Sequence, residues 1–333
     1  MRKLLLIPVF LGLLWVGYWF IGALVLDRAL TGWIDARGRE GWVANYDDVA
    51  VTGFPLRFET VVRDVELADP ATGVAWTAPD FRFTAKSARP NEITAIWPAQ
   101  QTVATPLERI EITSDRMQGR IGFAPNTALE LRSSDIGLET IALTSTLGWS
   151  ASLESGVLRT SRSDEAADAH DILFEASGLR LAETVRGRLD PARMLSERID
   201  GLRLQAWVDF DAPWDRFAIE EGRPQITAIR IDHMRATWGQ LDLRAAGAVT
   251  VAPDGTPEGE VIVKATNWSE MLAVAEAAGA IPPSVRSGLE RGLGFLARLS
   301  GPSETLDVPL TFRGGLVTLG PIPLGPAPRI VLR

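Results

Sequence analysis

The stretch Leu202-Arg-Leu-Gln-Ala-Trp-Val-Asp-Phe210 places an apolar residue at every second position. A period of two is typical of a β-strand that buries one face. Similar short runs recur after residue 42, separated by Gly, Pro, Asn and Asp. We therefore expect a mainly β (α+β) chain, in which a few helices cover a long, twisted antiparallel sheet. The alternation fits an open β-groove and a closed sandwich equally well.

The alternating pattern falls into two predicted halves, residues 42–162 and residues 172–333. The acidic segment Ser161–Asp171 separates them, and we expect it to be an exposed loop. Helical periodicity and stop signals predict helices in the second half, near residues 191–199, 268–278 and 284–299.

Two of these helices have candidate N-terminal caps. Asp190 precedes Pro191, which matches an N-cap followed by proline at the first helical position. Asn267 and Glu270 have the spacing of a capping box. The helices at 268–278 and 284–299 would then form a hairpin that lies over the sheet or closes one end of it.

The N-terminal segment Leu4–Leu26 contains no charged residue. A helix of this length reaches about 34 Å, which exceeds the roughly 30 Å hydrocarbon core of a bilayer. We expect residues 1–26 to be an uncleaved transmembrane anchor, because the apolar region of a cleaved signal peptide is shorter. Arg2 and Lys3 predict a cytoplasmic N-terminus, which places the body of the protein across the membrane.

A helical extension is predicted to follow the anchor over residues 27–41. Its apolar residues recur at spacings of three and four, as on one face of a helix, and include Trp33 and Ile34. These two residues favour docking of the extension on the following domain over a solvated stalk.

Composition excludes several classes of chemistry. The chain has no cysteine and two histidines, which excludes disulfides, thiol catalysis and thiolate metal sites. Its net charge of −8 predicts that the bulk of the protein repels nucleic acid and anionic headgroups. His233 has no partner at a useful spacing, and His170 lies in the acidic loop without a calcium-binding pattern. We expect no metal, no cofactor and no enzymatic activity, although carboxylate-only mechanisms need nothing beyond Asp or Glu.

Aromatic residues are the remaining candidates for a binding site. The chain has eleven tryptophans, most of which core packing would explain. Trp207 lies on the polar face of its strand, and Trp97 and Trp149 lie near predicted strand ends. With residues of the predicted hairpin they define a candidate hydrophobic groove or lid, which comprises Trp97, Trp149, Trp207, Trp268, Leu289 and Leu293.

Two sets of motifs resemble known families. The short anchor, the segment Gly53-Phe-Pro-Leu-Arg-Phe58, Trp76-Thr-Ala-Pro79 and the closing Gly314–Leu324 segment resemble the alphaproteobacterial envelope family known as domain of unknown function 2125. Glycine and turn positions from Trp238 to Leu324 resemble those of AsmA-like proteins, which are β-rich periplasmic proteins of the inner membrane implicated in lipid homeostasis. The AsmA-like resemblance implies an inner-membrane-anchored protein with a periplasmic body, and neither resemblance supplies a catalytic residue. The sequence has no second apolar run of comparable length, so we expect a single-pass protein.

Two functions from different classes follow from these expectations. In the first, the protein is a membrane-tethered module that binds lipid or another hydrophobic ligand in envelope homeostasis. In the second, it is a scaffold that presents a β surface to other envelope proteins. An open apolar groove in the folded chain would favour the first.

Overall fold

The computed structural model describes residues 2–220, 222–279, 283–300 and 305–332. Of the chain, 53% is strand and 20% is helical, and the strands pair antiparallel within each unit. The prediction of a mainly β chain with an N-terminal apolar helix is therefore confirmed. The stretch Leu202–Phe210 lies within a single strand, in which Ala206 and Val208 are buried.

The chain forms two compact units. Unit 1 comprises Met1–Gly122 and Thr140–Gly148, and unit 2 comprises Phe123–Glu139 and Trp149–Arg333. We predicted the boundary between halves within Ser161–Asp171, but this segment connects two paired strands inside unit 2. The compact units divide elsewhere in the chain, and a charged hairpin loop has the same composition as a charged linker.

Unit 1 consists of the N-terminal helix and antiparallel strands. The pair β3 and β4 is the longest and organises the others, since β1 and β2 also pair with β3, and β5 and β6 with β4. The elements are α1 (Arg2–Arg39), β1 (Val43–Asn45), β2 (Asp48–Thr52), β3 (Arg57–Asp69), β4 (Val74–Lys86), β5 (Arg89–Ile96), β6 (Gln100–Ala104), β7 (Arg109–Thr113), β8 (Arg116–Phe123) and the end of β9 (Leu131–Ser145).

The predicted anchor and its extension form the single continuous helix α1. Among the described residues, α1 is the one helix long and apolar enough to cross a membrane. The extension docks on unit 1 through Ile34, which is 7% exposed, whereas Trp33 stays half-exposed. Trp19, which lies inside the predicted anchor, is 5% exposed and is also buried against unit 1. The helix therefore packs on the β strands along part of its predicted transmembrane segment.

Unit 2 is a meander in which each strand from β10 to β18 pairs with the next. Its elements are the start of β9, β10 (Ser150–Arg162), β11 (His170–Leu179), α2 (Glu183–Leu189), β12 (Ile199–Phe210), α3 (Phe217–Glu220), β13 (Ile226–Trp238), β14 (Leu241–Val251), β15 (Pro257–Thr266), α4 (Trp268–Ala277), α5 (Pro283–Ser300), β16 (Thr305–Arg313), β17 (Leu316–Leu319) and β18 (Ile322–Pro326).

The predicted helix at residues 191–199 is absent, because this segment forms turns that lead into β12. The helix of this region is α2, and Asp190 follows its last turn. The buried carboxylate of Asp190 accepts hydrogen bonds from the backbone N–H groups of Met194 and Leu195, both at 2.8 Å. Asp190 thus organises a loop with the same hydrogen-bonding capacity that would cap a helix.

The predicted helices at 268–278 and 284–299 correspond to α4 and α5. The predicted capping box was wrong, because Asn267 makes no side-chain cap bond. Its amide instead donates to the Gln240 carbonyl at 2.7 Å, which ties the start of α4 to the turn between β13 and β14. Both helices pack directly on the sheet in one hydrophobic cluster, whose buried members are Ala265, Trp268, Leu272, Leu293, Ala297, Leu306 and Val308.

Gly247 supports a close approach between neighbouring strands, and we predict that Gly247→Ala destabilises the protein. Its φ is 156°, and an added Cβ would lie 2.6 Å from Val261 Cα and collide with the Glu260 carbonyl oxygen. Overpacking of this kind costs about 1–3 kcal/mol, so the midpoint of urea unfolding should fall. The matched control is Gly137→Ala in β9, where nothing lies within 4 Å of the added atom. Equal midpoints for the two variants would contradict the prediction.

Candidate functional site

An apolar cavity of about 400 Å³ lies between α1 and the sheet of unit 1. Binding sites for small molecules range from about 300 to 1,000 Å³ and are mostly apolar, so the cavity has an adequate size and character. Its walls are formed by one face of α1 and by β3, β4 and the start of β5. The lining residues are Tyr18, Gly22, Val25, Leu26, Ala29, Leu30, Phe58, Thr60, Phe83, Thr84, Ala85, Pro90 and Ile93.

The spacing of the lining residues along α1 explains how one face of the helix forms a wall of the cavity. The lining residues of α1 recur at intervals of three and four, which places them on one face of the helix. From Tyr18 to Leu30 this face extends about 18 Å, which is roughly the depth of one bilayer leaflet. Gly22 permits close packing here, since an added Cβ would lie 2.8 Å from the ring of Phe58.

The sheet wall contains one buried polar atom without a partner in the protein. Thr60 is 1% exposed and lines the cavity, and its hydroxyl oxygen makes no hydrogen bond. Leaving a buried hydroxyl without a partner costs about 1–3 kcal/mol. Two further lining residues, Tyr18 and Thr84, carry hydroxyl groups, and that of Tyr18 is bonded to the Ser87 carbonyl. The walls are otherwise apolar, which suits an apolar molecule that carries a polar atom.

Aromatic side chains of α1 fix the helix at one end of the cavity. Trp15 Nε1 donates to the Pro55 carbonyl at 3.1 Å, and Trp19 Nε1 donates to the Arg57 carbonyl at 2.9 Å. The hydroxyl of Tyr18 donates to the Ser87 carbonyl at 2.8 Å. The Trp19 ring also stacks on Phe58, with centroids 5.7 Å apart.

None of the sequence-predicted tryptophans lines this cavity. Trp97 packs against Phe81 elsewhere in unit 1, with ring centroids 5.2 Å apart. Trp149 lies between β9 and β10 in unit 2. The ring of Trp207 lies under the guanidinium of Arg230, whose carbon is 5.1 Å from the ring centroid.

The predicted lid residues belong to the core of unit 2. Trp268 and Leu293 are buried in the cluster beneath α4 and α5, and Leu289 packs against it. These side chains fill the space between the helices and the sheet, so they form a packed core at this position. The cavity of unit 1 was missed because its helical wall lies in a segment that is apolar at nearly every position.

The polar residues considered in the sequence analysis, His170 and the acidic loop, make contacts within the folded protein. His170 is buried, and this burial, together with nearby Arg162, lowers the pKa of its imidazole. Glu165 of the acidic loop accepts two hydrogen bonds from Arg230, at 2.8 and 2.9 Å, which lower the pKa of its carboxyl group. Within the described residues, no group of three or more His, Asp or Glu side chains is arranged to hold a metal ion.

A second cavity of about 590 Å³ in unit 1 is wide and polar. Asp64, Glu66 and Glu111 contribute carboxylates to its lining. The neighbouring Gln101 is engaged, because its carbonyl accepts a hydrogen bond from Trp76 Nε1 at 2.7 Å. An acidic, open recess of this kind suits water better than an apolar molecule.

Comparison with known proteins classifies the chain by a family model and not by an individual relative. No curated protein and no solved structure matches the chain. The resemblance of the C-terminal third to AsmA-like proteins stays a prediction. A family model described as "Uncharacterized protein conserved in bacteria (DUF2125)" matches residues 19–328, which is nearly the whole chain. The chain belongs to this family.

Proposed function

We propose that the protein is a non-enzymatic, membrane-anchored module of the bacterial envelope that binds lipid or another hydrophobic ligand. The observation that carries the proposal is the apolar cavity of about 400 Å³, one wall of which is the helix α1. The same helix is the candidate membrane anchor, so a ligand in the cavity would contact the anchor directly. An acyl chain is the ligand that these walls fit best.

The energetics favour an acyl chain without any charged contact. Each buried methylene contributes about 0.8 kcal/mol, so ten methylenes would contribute about 8 kcal/mol before the costs of association. The extent of the helical wall, about 18 Å, is close to the depth at which acyl chains lie in one leaflet. Because the Thr60 hydroxyl oxygen is buried, its side chain would rotate to bind an oxygen atom of the ligand, such as that of an ester or a carboxyl group.

The proposed orientation has the body of the protein in the periplasm. Arg2 and Lys3 precede the apolar segment, and positive charge favours the cytoplasmic side. The inner membrane is then the membrane in which α1 is anchored. A scaffold that presents its β surface to envelope proteins is the competing function, and it requires no ligand in the cavity.

Filling the cavity should abolish ligand binding. We predict that Ala85→Phe reduces co-purified lipid by more than about tenfold, which corresponds to 1.4 kcal/mol, because the ring would occupy the space between β4 and α1. Native mass spectrometry after mild detergent extraction measures the bound lipid. The control is Ala75→Phe, also half-buried on β4 but outside the cavity, which should retain lipid. Wild-type protein that is free of lipid, and that binds no acyl-chain probe, would favour the scaffold.

The role of Thr60 is tested by a substitution of similar shape. We predict that Thr60→Val weakens ligand binding by about two- to tenfold, the range for the loss of one hydrogen bond. The same change should leave the unfolding midpoint unchanged or raise it, because the hydroxyl has no partner in the protein. Thr94→Val in β5, which is half-buried and outside the cavity, is the control. Unchanged binding of an acyl-chain probe by Thr60→Val would contradict this role.

The orientation is tested by fusions at the C-terminus. Alkaline phosphatase fused after Arg333 should be active in cells, because the enzyme requires the oxidising periplasm. A green fluorescent protein at the same position should be dark when exported through the general secretion pathway. An inactive phosphatase with a bright fluorescent fusion would reverse the proposed orientation.

A further inference from the structure

We infer that the turn Gly53–Arg57, between β2 and β3, is inserted into the bilayer beside α1. The interaction partner is the lipid of the leaflet through which α1 leaves the membrane. This inference rests on α1 lying in a membrane, as proposed above, and does not require a ligand in the cavity.

Hydrogen bonds fix the level of the turn along the helix. The indoles of Trp15 and Trp19 donate to the carbonyls of Pro55 and Arg57, so the turn lies alongside this part of α1. Trp15 precedes Leu26, the last residue of the uncharged run, by eleven positions, or about 16 Å of helix. If Leu4–Leu26 crosses the hydrocarbon core, the turn is carried into the bilayer with it.

The surface of the turn is apolar where it faces outward. Leu56 is 72% exposed and Phe54 is 48% exposed. Phe54 packs against Trp19 and Phe20 of α1, with ring centroids 5.3 and 5.7 Å apart. Phe20 is itself 60% exposed, so the turn and the helix form one continuous apolar surface. Such a surface is costly in water and favourable in lipid.

Several backbone groups of the turn are hydrogen-bonded within the protein, as a surrounding with little water requires. A polar backbone group in hydrocarbon must find its partner within the protein. The Pro55, Leu56 and Arg57 carbonyls accept hydrogen bonds from Trp15 Nε1, the Ser87 N–H and Trp19 Nε1, respectively. The N–H groups of Leu56 and Arg57 both donate to the Gly53 carbonyl, and Pro55 has no N–H to satisfy.

Basic side chains lie at the last residue of the turn and on the strands next to it. Arg57 is paired in register with Lys86, and Arg89 follows on the next strand, with all three exposed in a chain of net charge −8. Glu92 lies 3.6 Å from Arg89, so one of these charges is partly balanced. Long basic side chains can extend from an apolar surface to lipid phosphates. An apolar tip with a basic margin is therefore suited to a leaflet that contains anionic lipid.

Insertion of the turn would bring the cavity into contact with the leaflet. Tyr18 lines one end of the cavity and lies between the two tryptophans that bind the turn. An acyl chain could therefore enter the cavity at this end without crossing water. This consequence, unlike the insertion itself, rests on the proposed function.

The experiment measures the environment of single cysteines, which the native chain lacks. Leu56→Cys carries an environment-sensitive nitrobenzoxadiazole label in the full chain, reconstituted in vesicles of phosphatidylethanolamine and phosphatidylglycerol. We expect blue-shifted emission, quenching by spin-labelled lipid, and roughly tenfold weaker quenching by iodide than at an exposed site, because ions are excluded from hydrocarbon. Phe54→Cys is a second reporter in the same turn.

Two control positions make the result decisive. Leu107→Cys, in the turn between β6 and β7, reports a water-exposed site, since Leu107 is 83% exposed. Leu14→Cys reports the lipid-facing surface of α1, where Leu14 is 54% exposed. If Leu56 is as accessible to iodide as Leu107 while Leu14 is shielded, the inference is overturned and the anchor stands. If Leu14 is also accessible, both the anchor and the insertion of the turn fail. Neither result depends on lipid in the cavity, which mass spectrometry measures separately.

Discussion

Hydrogen bonds from Trp15, Tyr18 and Trp19 to backbone carbonyls hold α1 against the sheet of unit 1. Without them the helix would contact the β strands through apolar side chains alone, such as Trp19 on Phe58 and the buried Ile34. With them it becomes a wall of the domain, and the apolar cavity exists only because this wall is in place. An indole or phenol group is well suited to this contact, since an apolar ring carries a single polar atom that needs one partner.

The strands were predictable because a strand that buries one face alternates apolar and polar residues, as in Leu202–Phe210. The face of α1 that lines the cavity has no comparable pattern in the sequence. In the apolar run that ends at Leu26, positions that pack on the sheet, such as Trp19 and Gly22, and exposed positions, such as Leu14 and Ile21, all lack polar side chains. The docked face therefore has no polar face to contrast with. A helix of this composition looks like a plain anchor in the sequence, even where one side packs on its own domain.

The wrong predictions in unit 2 have a similar origin. Asp190 before Pro191 matches a helix N-cap, yet its carboxylate binds two backbone N–H groups of a loop. Asn267 also matches a helix N-cap, yet its amide donates a hydrogen bond to the carbonyl of Gln240, which lies 27 positions earlier in the chain. Both side chains were correctly identified as partners for the backbone. Which backbone group they bind depends on contacts that form only in the folded chain.

Thr60 indicates most clearly how the cavity differs from a packing defect. A void between a helix and a sheet costs dispersion energy, and a sequence optimised for stability alone would fill it with larger apolar side chains. Here the lining keeps Gly22, Ala29 and Ala85, which are small, and a buried hydroxyl without a protein partner. A cavity that combines lost packing with an unsatisfied polar atom is destabilising when empty. A ligand with an apolar chain and an oxygen atom would offset both costs, and this supports the proposed binding site over an imperfect core.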